Sequence, residues 1–159
     1  MFDWLLFVLA FASAVGSALV AGIFFAFSTF VMHALARLPT EQGIAAMQSI
    51  NITVINPFFM GAFLGTGVLC VLLAAGGWFR WNDVGAKIAV IASLVYLIGA
   101  IGVTIIFNVP LNNALPAMAA DSRDGAAIWA RYLAEWVPWN HLRTVACLAS
   151  RASLIQALR

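Results

Sequence analysis

The stretch "WNHLRT", residues 139–144, sets an aromatic ring, an amide, an imidazole and a permanent cation within six consecutive positions. On a helix Asn140, Arg143 and Thr144 share one face, because side chains three and four apart are neighbours, while His141 projects about a quarter-turn away. An imidazole can accept a proton near neutral pH, a guanidinium stays charged, and an amide both donates and accepts. A second set lies in "FNVPLNN", residues 107–113, where Asn108, Asn112 and Asn113 follow a long apolar run. With Trp136 and Trp139 added, the inventory offers hydrogen-bond donors, a titratable ring, a cation and aromatic walls close to a membrane boundary. Each residue also has a plain structural reading. Pro110 would end a helix and leave carbonyls for the Asn108 amide to satisfy, and Asn112 and Asn113 could cap or turn the short segment "ALPAM". Tryptophans and a snorkelling Arg143 would suit a membrane boundary.

Other chemistries find less. His33 and His141 are too few for a zinc site, and Glu41, Asp121, Asp124 and Glu135 stand at no ligand-type spacing from them, so no metal site is expected. The sequence carries no nucleophile elbow, zincin helix, phosphate loop or dinucleotide fingerprint. Cys70 and Cys147 both sit inside apolar runs and read as buried free thiols. Asn56 followed by Pro57 reads as a helix N-cap with proline in the first turn.

Composition dictates the scaffold that holds these groups. A chain of 159 residues that is 64% hydrophobic and 9% charged cannot cover a soluble domain with polar surface, so its expected partner is the lipid bilayer. A net charge of +2, with Lys and Arg scattered, gives no nucleic-acid surface. The expected fold is all-α: a single integral membrane domain over 1–159, a four-helix bundle spanning at 4–32, 57–78, 88–107 and 140–158. The N-terminal run lacks the basic start of a signal peptide and reads as a retained span. Short interfacial amphipathic helices are expected in the first and third connections. The first covers 41–51, with Ile44 and Met47 on one side. The second covers 125–137, with Trp129, Tyr132, Leu133 and Trp136 on its apolar face, after a turn at 121–124. Ala10, Ala14, Ala18, Gly22 and Ala26 form a small-residue stripe, and Gly61 and Gly65 a GxxxG pair; both suit close helix packing and leave a homo-oligomer open.

Four crossings put both termini on one side and both long connections on the other. His33, Asn51, Asn56, Asn108, Asn112, Asn113, Asn140, His141 and Arg143 then gather at one rim of the bundle. Lys and Arg divide evenly between the two sides; setting Arg143 aside as a site residue tips the termini towards the cytoplasm.

The segments "GIFFAFSTFVMHALARLP", "GIAAMQSIN", "NPFFMGAFLGT", "GVTIIFNVPLNNAL" and "WARYLAEWVPWNHLRT" together resemble the anthrone oxygenase-like family of small four-helix membrane proteins. The resemblance runs from about Phe24 to Thr144. It implies oxidation of the central methylene of a tricyclic phenolic ketone to a carbonyl by O2, with no metal or flavin cofactor; the partners implied are an apolar aromatic small molecule and O2. In that reading His141 accepts the C–H proton, and Arg143, Asn140, Asn108, Asn112 and Asn113 stabilise the oxyanion. Trp136 and Trp139 stack the rings. Two features depart from the family pattern: His33, and a last span that is short and charged by Arg151. The competing reading is a non-catalytic membrane module that binds a lipid or quinone, or assists another membrane protein. A transporter is disfavoured, since intramembrane acids and a broken central helix are lacking. A site would declare itself as an apolar cavity of at least about 300 Å3 at the polar rim.

Overall fold

The structure is a computed structural model that describes residues 4–115 and 123–159, and the elements among them are helices. They are α1 (Trp4–Ala36), α2 (Thr40–Thr53), α3 (Pro57–Trp78), α4 (Val84–Ala114) and α5 (Arg123–Ala157). Helices α1, α3 and α4 are long and apolar enough to cross a membrane, with mean hydropathies of 2.3, 2.2 and 2.5. At about 1.5 Å per residue the 33 residues of α1 reach roughly 50 Å, beyond the ~30 Å of a bilayer's hydrocarbon.

The starts of these helices are written locally. Asn56 Oδ1 accepts from the backbone N–H groups of Phe58 and Phe59 at 3.1 and 3.0 Å, and Pro57 occupies the first turn of α3. Asp83 Oδ1 accepts from Ala86 N at 3.2 Å and opens α4 four residues ahead of the expected 88. Residues 37–39, ending in Pro39, separate α1 from α2, whose buried face carries Gly43, Ile44 and Met47.

Helix α1 packs against α3 and α5, and α4 packs against the same two, so α1 and α4 stand diagonally across the assembly. Three apolar layers stack along it. One end joins Leu6, Ala10, Leu73, Ala89 and Leu154; the middle joins Val20, Phe24, Phe63, Tyr96 and Cys147; the other end joins Met32, Met47, Leu115, Trp129 and Trp136. Leu6 and Ala157 therefore share one end, while α2 and the first half of α5 occupy the other. Cys70 and Cys147 are free and buried, as their apolar settings suggest.

Two proline positions differ from expectation. Pro110 does not stop α4, which continues to Ala114. The helix widens beforehand over Leu97–Gly102 and again over Thr104–Asn108, and a widened turn shifts the hydrogen-bond register in which Pro110 lacks a donor. Asn108 accordingly caps nothing and is free to bond across to α5. Likewise, the helix expected at 125–137 is not separate from the last one, because α5 runs unbroken through Pro138. The proline takes a donor from the carbonyl of Ala134, a residue on the exposed face. Part of the turn expected at 121–124 lies outside the described residues.

The glycine contacts are also redistributed. A Cβ at Gly61 or Gly65 would meet nothing within 4 Å, so that pair is not a packing notch within this chain. The close approach between α1 and α3 is at Gly16, where a Cβ would strike Thr66, and between α4 and α5 at Gly99, where it would strike Ala146.

A buried arginine on an apolar cavity

Helix α5 carries the chemistry on the face that its three- and four-residue spacings create. Asn140 is fully buried, and its Nδ2 donates to the Phe24 carbonyl and to Ser28 Oγ, both at 2.7 Å. Ser28 Oγ lies 3.1 Å from Thr144 Oγ1, which also donates to the Asn140 carbonyl at 2.9 Å. The effect is a polar latch between α1 and α5. It occurs where α1 widens over Phe27–Val31, next to Phe24 and at Ser28 itself.

That latch orients Arg143. Its Nη2 donates to Asn140 Oδ1 at 2.6 Å and its Nη1 to Thr104 Oγ1 at 3.1 Å, while Nε has no partner. Thr104 stands at the start of the second widened turn of α4, so the guanidinium is held between two irregular stretches of helix. Its carbon lies 4.2 Å from the ring centre of Phe24 and 5.0 Å from that of Trp136. Arg143 is only 5% exposed, and among the described residues no carboxylate pairs with it; Glu135, the acid nearest in sequence, bonds Arg131 instead. Aromatic faces recover part of the lost hydration, but a buried cation without a counter-ion remains costly.

Arg143 and Asn140 border a half-open cavity of about 230 Å3, to which every helix contributes. Its walls are mainly apolar, with Phe24 and Phe27 from α1, Met47 and Ile50 from α2, and Phe59 and Phe63 from α3. The volume is below the roughly 300 Å3 at which small-molecule pockets usually begin. Thr104 and Asn112 of α4, Asn51 of α2 and Trp136 of α5 add further polar or aromatic wall.

Asn112 is fixed by its acceptor oxygen. Oδ1 receives Tyr132 O–H at 2.8 Å and Trp136 Nε1–H at 2.9 Å. Burial pushes the Tyr132 phenol above its ordinary range, which keeps it protonated and able to donate. Tyr132 in turn stacks between Trp129 and Trp136, at 5.6 and 6.0 Å, in an aromatic ladder that lies over Met32 and Met47.

Of the residues singled out in the sequence, Asn112, Trp136, Asn140 and Arg143 border the cavity together. Asn108 is buried beside it, with Nδ2 donating to the Trp136 carbonyl at 3.3 Å and Oδ1 unpartnered; Asn108 and Asn140 thus lie at the same end of the assembly. Trp139 is elsewhere, stacked on Phe107 with ring centres 3.6 Å apart, and does not border the cavity. His141 and Asn113 are exposed and also outside its lining. The proton-accepting role expected of His141 therefore has no geometric support, for the reason already present in the helix: position 141 points a quarter-turn from the face shared by 140, 143 and 144. Among the described residues no three His, Cys, Asp or Glu side chains converge as metal ligands would.

Sequence reasoning missed Ser28, Thr104 and Tyr132 as partners in this network, whereas Asn51, counted among the polar residues of the rim, does border the cavity. Thr104 had a usable signal, since it precedes Asn108 by four positions and shares its helical face. Ser28 had none, being one hydroxyl in an apolar run.

Residues 56–153 match the family model for anthrone oxygenase. Comparison with curated proteins and with solved structures finds no match. The matched region covers more than half of the chain and contains Thr104, Asn112, Trp136, Asn140 and Arg143, so this all-helical protein, with three helices suited to crossing a membrane, belongs to the anthrone oxygenase family.

Proposed function

We propose that the chain is a multi-pass integral membrane protein in which α1, α3, α4 and the second half of α5 form a four-helix bundle, with both termini in the cytoplasm. In this reading α2 and the first half of α5 lie along the membrane boundary. The bundle binds the ionised form of an apolar phenolic polycycle and oxidises it with O2. The observation that carries this reading is Arg143, a cation held against an apolar cavity with no counter-ion among the described residues. An anionic ligand oxygen would supply the missing charge, and its flat rings would meet Phe24, Phe27 and Trp136.

The chemistry balances without a further reactant. An anthrone loses one methylene proton to give an enolate whose negative charge rests on the oxygen facing Arg143. The electron-rich ring carbon forms a bond to O2 and, after protonation, a hydroperoxide. Cleavage of its O–O bond, with loss of the remaining C–H proton, leaves a carbonyl and releases water. Because no titratable base among the described residues borders the cavity, Arg143 and its hydrogen-bonding neighbours act by favouring the ionised substrate, and the proton leaves to the interface.

The test is aerobic incubation of the purified protein with an anthrone, following quinone absorbance and oxygen uptake, with Arg143→Met as comparator. Acceleration over the spontaneous reaction that disappears in the variant is expected; equal rates with and without protein would overturn the catalytic claim. A second reading has its own support: the modest cavity and the missing base also suit a non-catalytic module that holds a quinone or lipid. Saturable binding with no oxygen uptake would favour it.

A further inference from the structure

Asn112 is not hydrogen-bonded to the Arg143 cluster and meets the Trp136 indole at its Nε1 edge, while the guanidinium lies 5.0 Å from the ring centre. Its amide orientation follows from chemistry: Trp136 Nε1 can only donate, so the atom 2.9 Å from it must be the acceptor oxygen Oδ1. The Tyr132 hydroxyl occupies the same oxygen at 2.8 Å. With Oδ1 committed twice, the amide has no freedom to flip, and Nδ2 is the group it has left. Among the described residues that Nδ2 has no hydrogen-bond acceptor and is not sealed from solvent, although Asn112 borders the cavity. A donor whose orientation is fixed by two neighbours, on a mainly apolar wall, is the arrangement of a recognition group.

We propose that Asn112 is a specificity-determining residue, whose Nδ2 donates to a second, uncharged oxygen of the ligand while Arg143 meets the ionised one. The inference rests on the reading of Arg143 given above and narrows it: the ligand class is a planar polycycle that carries an ionisable hydroxyl or enol and, elsewhere on the ring system, a second oxygen able to accept a hydrogen bond, a hydroxyl or a carbonyl. A polycyclic phenol with one oxygen would satisfy Arg143 and leave Nδ2 unpaired. Sites built to hydrogen-bond a substrate group reject the analogue that lacks it, because the donor, once covered by the bound ring system, is then stranded.

Two probes separate these contacts: 2-hydroxyanthracene, which has the hydroxyl alone, and 2-hydroxyanthraquinone, which adds ring carbonyls. Their dissociation constants would be measured by calorimetry on the full chain in lipid nanodiscs, for the parent, Asn112→Asp and Asn112→Ala. The aspartate keeps an acceptor for Tyr132 and Trp136 and removes the donor, so it guards against loss of the aromatic rim. With both probes titrated at a pH where each is fully ionised, its added charge acts on the two phenolates alike and cancels in the comparison. The expected result is that each variant loses about tenfold more affinity for the hydroxyquinone than for the hydroxyanthracene, the scale of one lost hydrogen bond. Equal losses for the two probes would overturn the proposal, as would a parent chain that binds neither. Arg143→Met tells the two failures apart. If it abolishes binding of both probes while the Asn112 variants lose both equally, the second contact is wrong and the Arg143 reading stands; if it changes nothing, that reading falls as well.

Discussion

Arg143 and Asn140 form a hydrogen-bonded unit in which the proposed function works against stability. Removing the buried cation with Arg143→Met relieves its desolvation and orphans one side of Asn140, and exchanges of this kind are commonly neutral or stabilising. The melting temperature of the unliganded variant should therefore be no lower than that of the parent; a marked fall would mean that the guanidinium is a structural strut. Asn140→Ala is expected to behave oppositely. It strips α1 of the amide that bridges Phe24 and Ser28 and leaves Arg143 one partner fewer, at a cost of about 2 kcal/mol in denaturant unfolding. His141→Ala should leave turnover and ligand affinity within about twofold of the parent, because the ring is exposed and outside the cavity lining. A loss of about a hundredfold, the weight of general base catalysis, would restore His141 as the base. At this scale the sequence was informative wherever helical spacing alone decides: 140, 143 and 144 share a face whatever the tertiary fold. Contacts such as Asn140 to Ser28 depend on which helix lies opposite, and nothing local to either residue encodes that.

Helix packing depends on places where backbones come close, and those places are not the ones that a small-residue motif suggests. Gly16→Val would drive a side chain into Thr66 across the α1 and α3 contact, and overpacking of this kind destabilises by about 1–3 kcal/mol. Gly61→Ala should be neutral or slightly stabilising, since nothing lies within 4 Å and alanine is the better helix former. Comparing the two by thermal unfolding in detergent checks the assignment; a costly Gly61→Ala would mean that another surface packs there. The capped start at Asn56 was legible because a cap followed by proline is a short-range pattern, whereas the cap at Asp83 was hidden among the charged and aromatic residues of a short connection. The continuity of α4 through Pro110 and of α5 through Pro138 was not. Proline ends a helix by local rules, and only the widened turn of Thr104–Asn108 before Pro110 and the burial of Trp136 and Asn140 on either side of Pro138 outweigh that rule.

In the whole molecule, three apolar helices are evident from hydropathy alone, whereas α5 is not, because Arg143 and Arg151 dilute its apolar character. If α5 completes the bundle across the membrane, single cysteines placed at Phe2 and Leu158 would react with a membrane-impermeant maleimide from one face, and a cysteine at Gln42 from the other. Labelling of position 158 from the same face as 42 would contradict four crossings. What such a bundle encloses matters most: a cation that lacks its counter-ion, in a cavity otherwise apolar. The decisive experiment titrates the protein in nanodiscs with a polycyclic phenolate and compares the parent with Arg143→Met. Affinity is expected to fall by about tenfold or more, the weight of one charge-assisted hydrogen bond, with the fold intact by circular dichroism. Equal affinity in the two proteins would show that the buried charge is not there to meet a ligand.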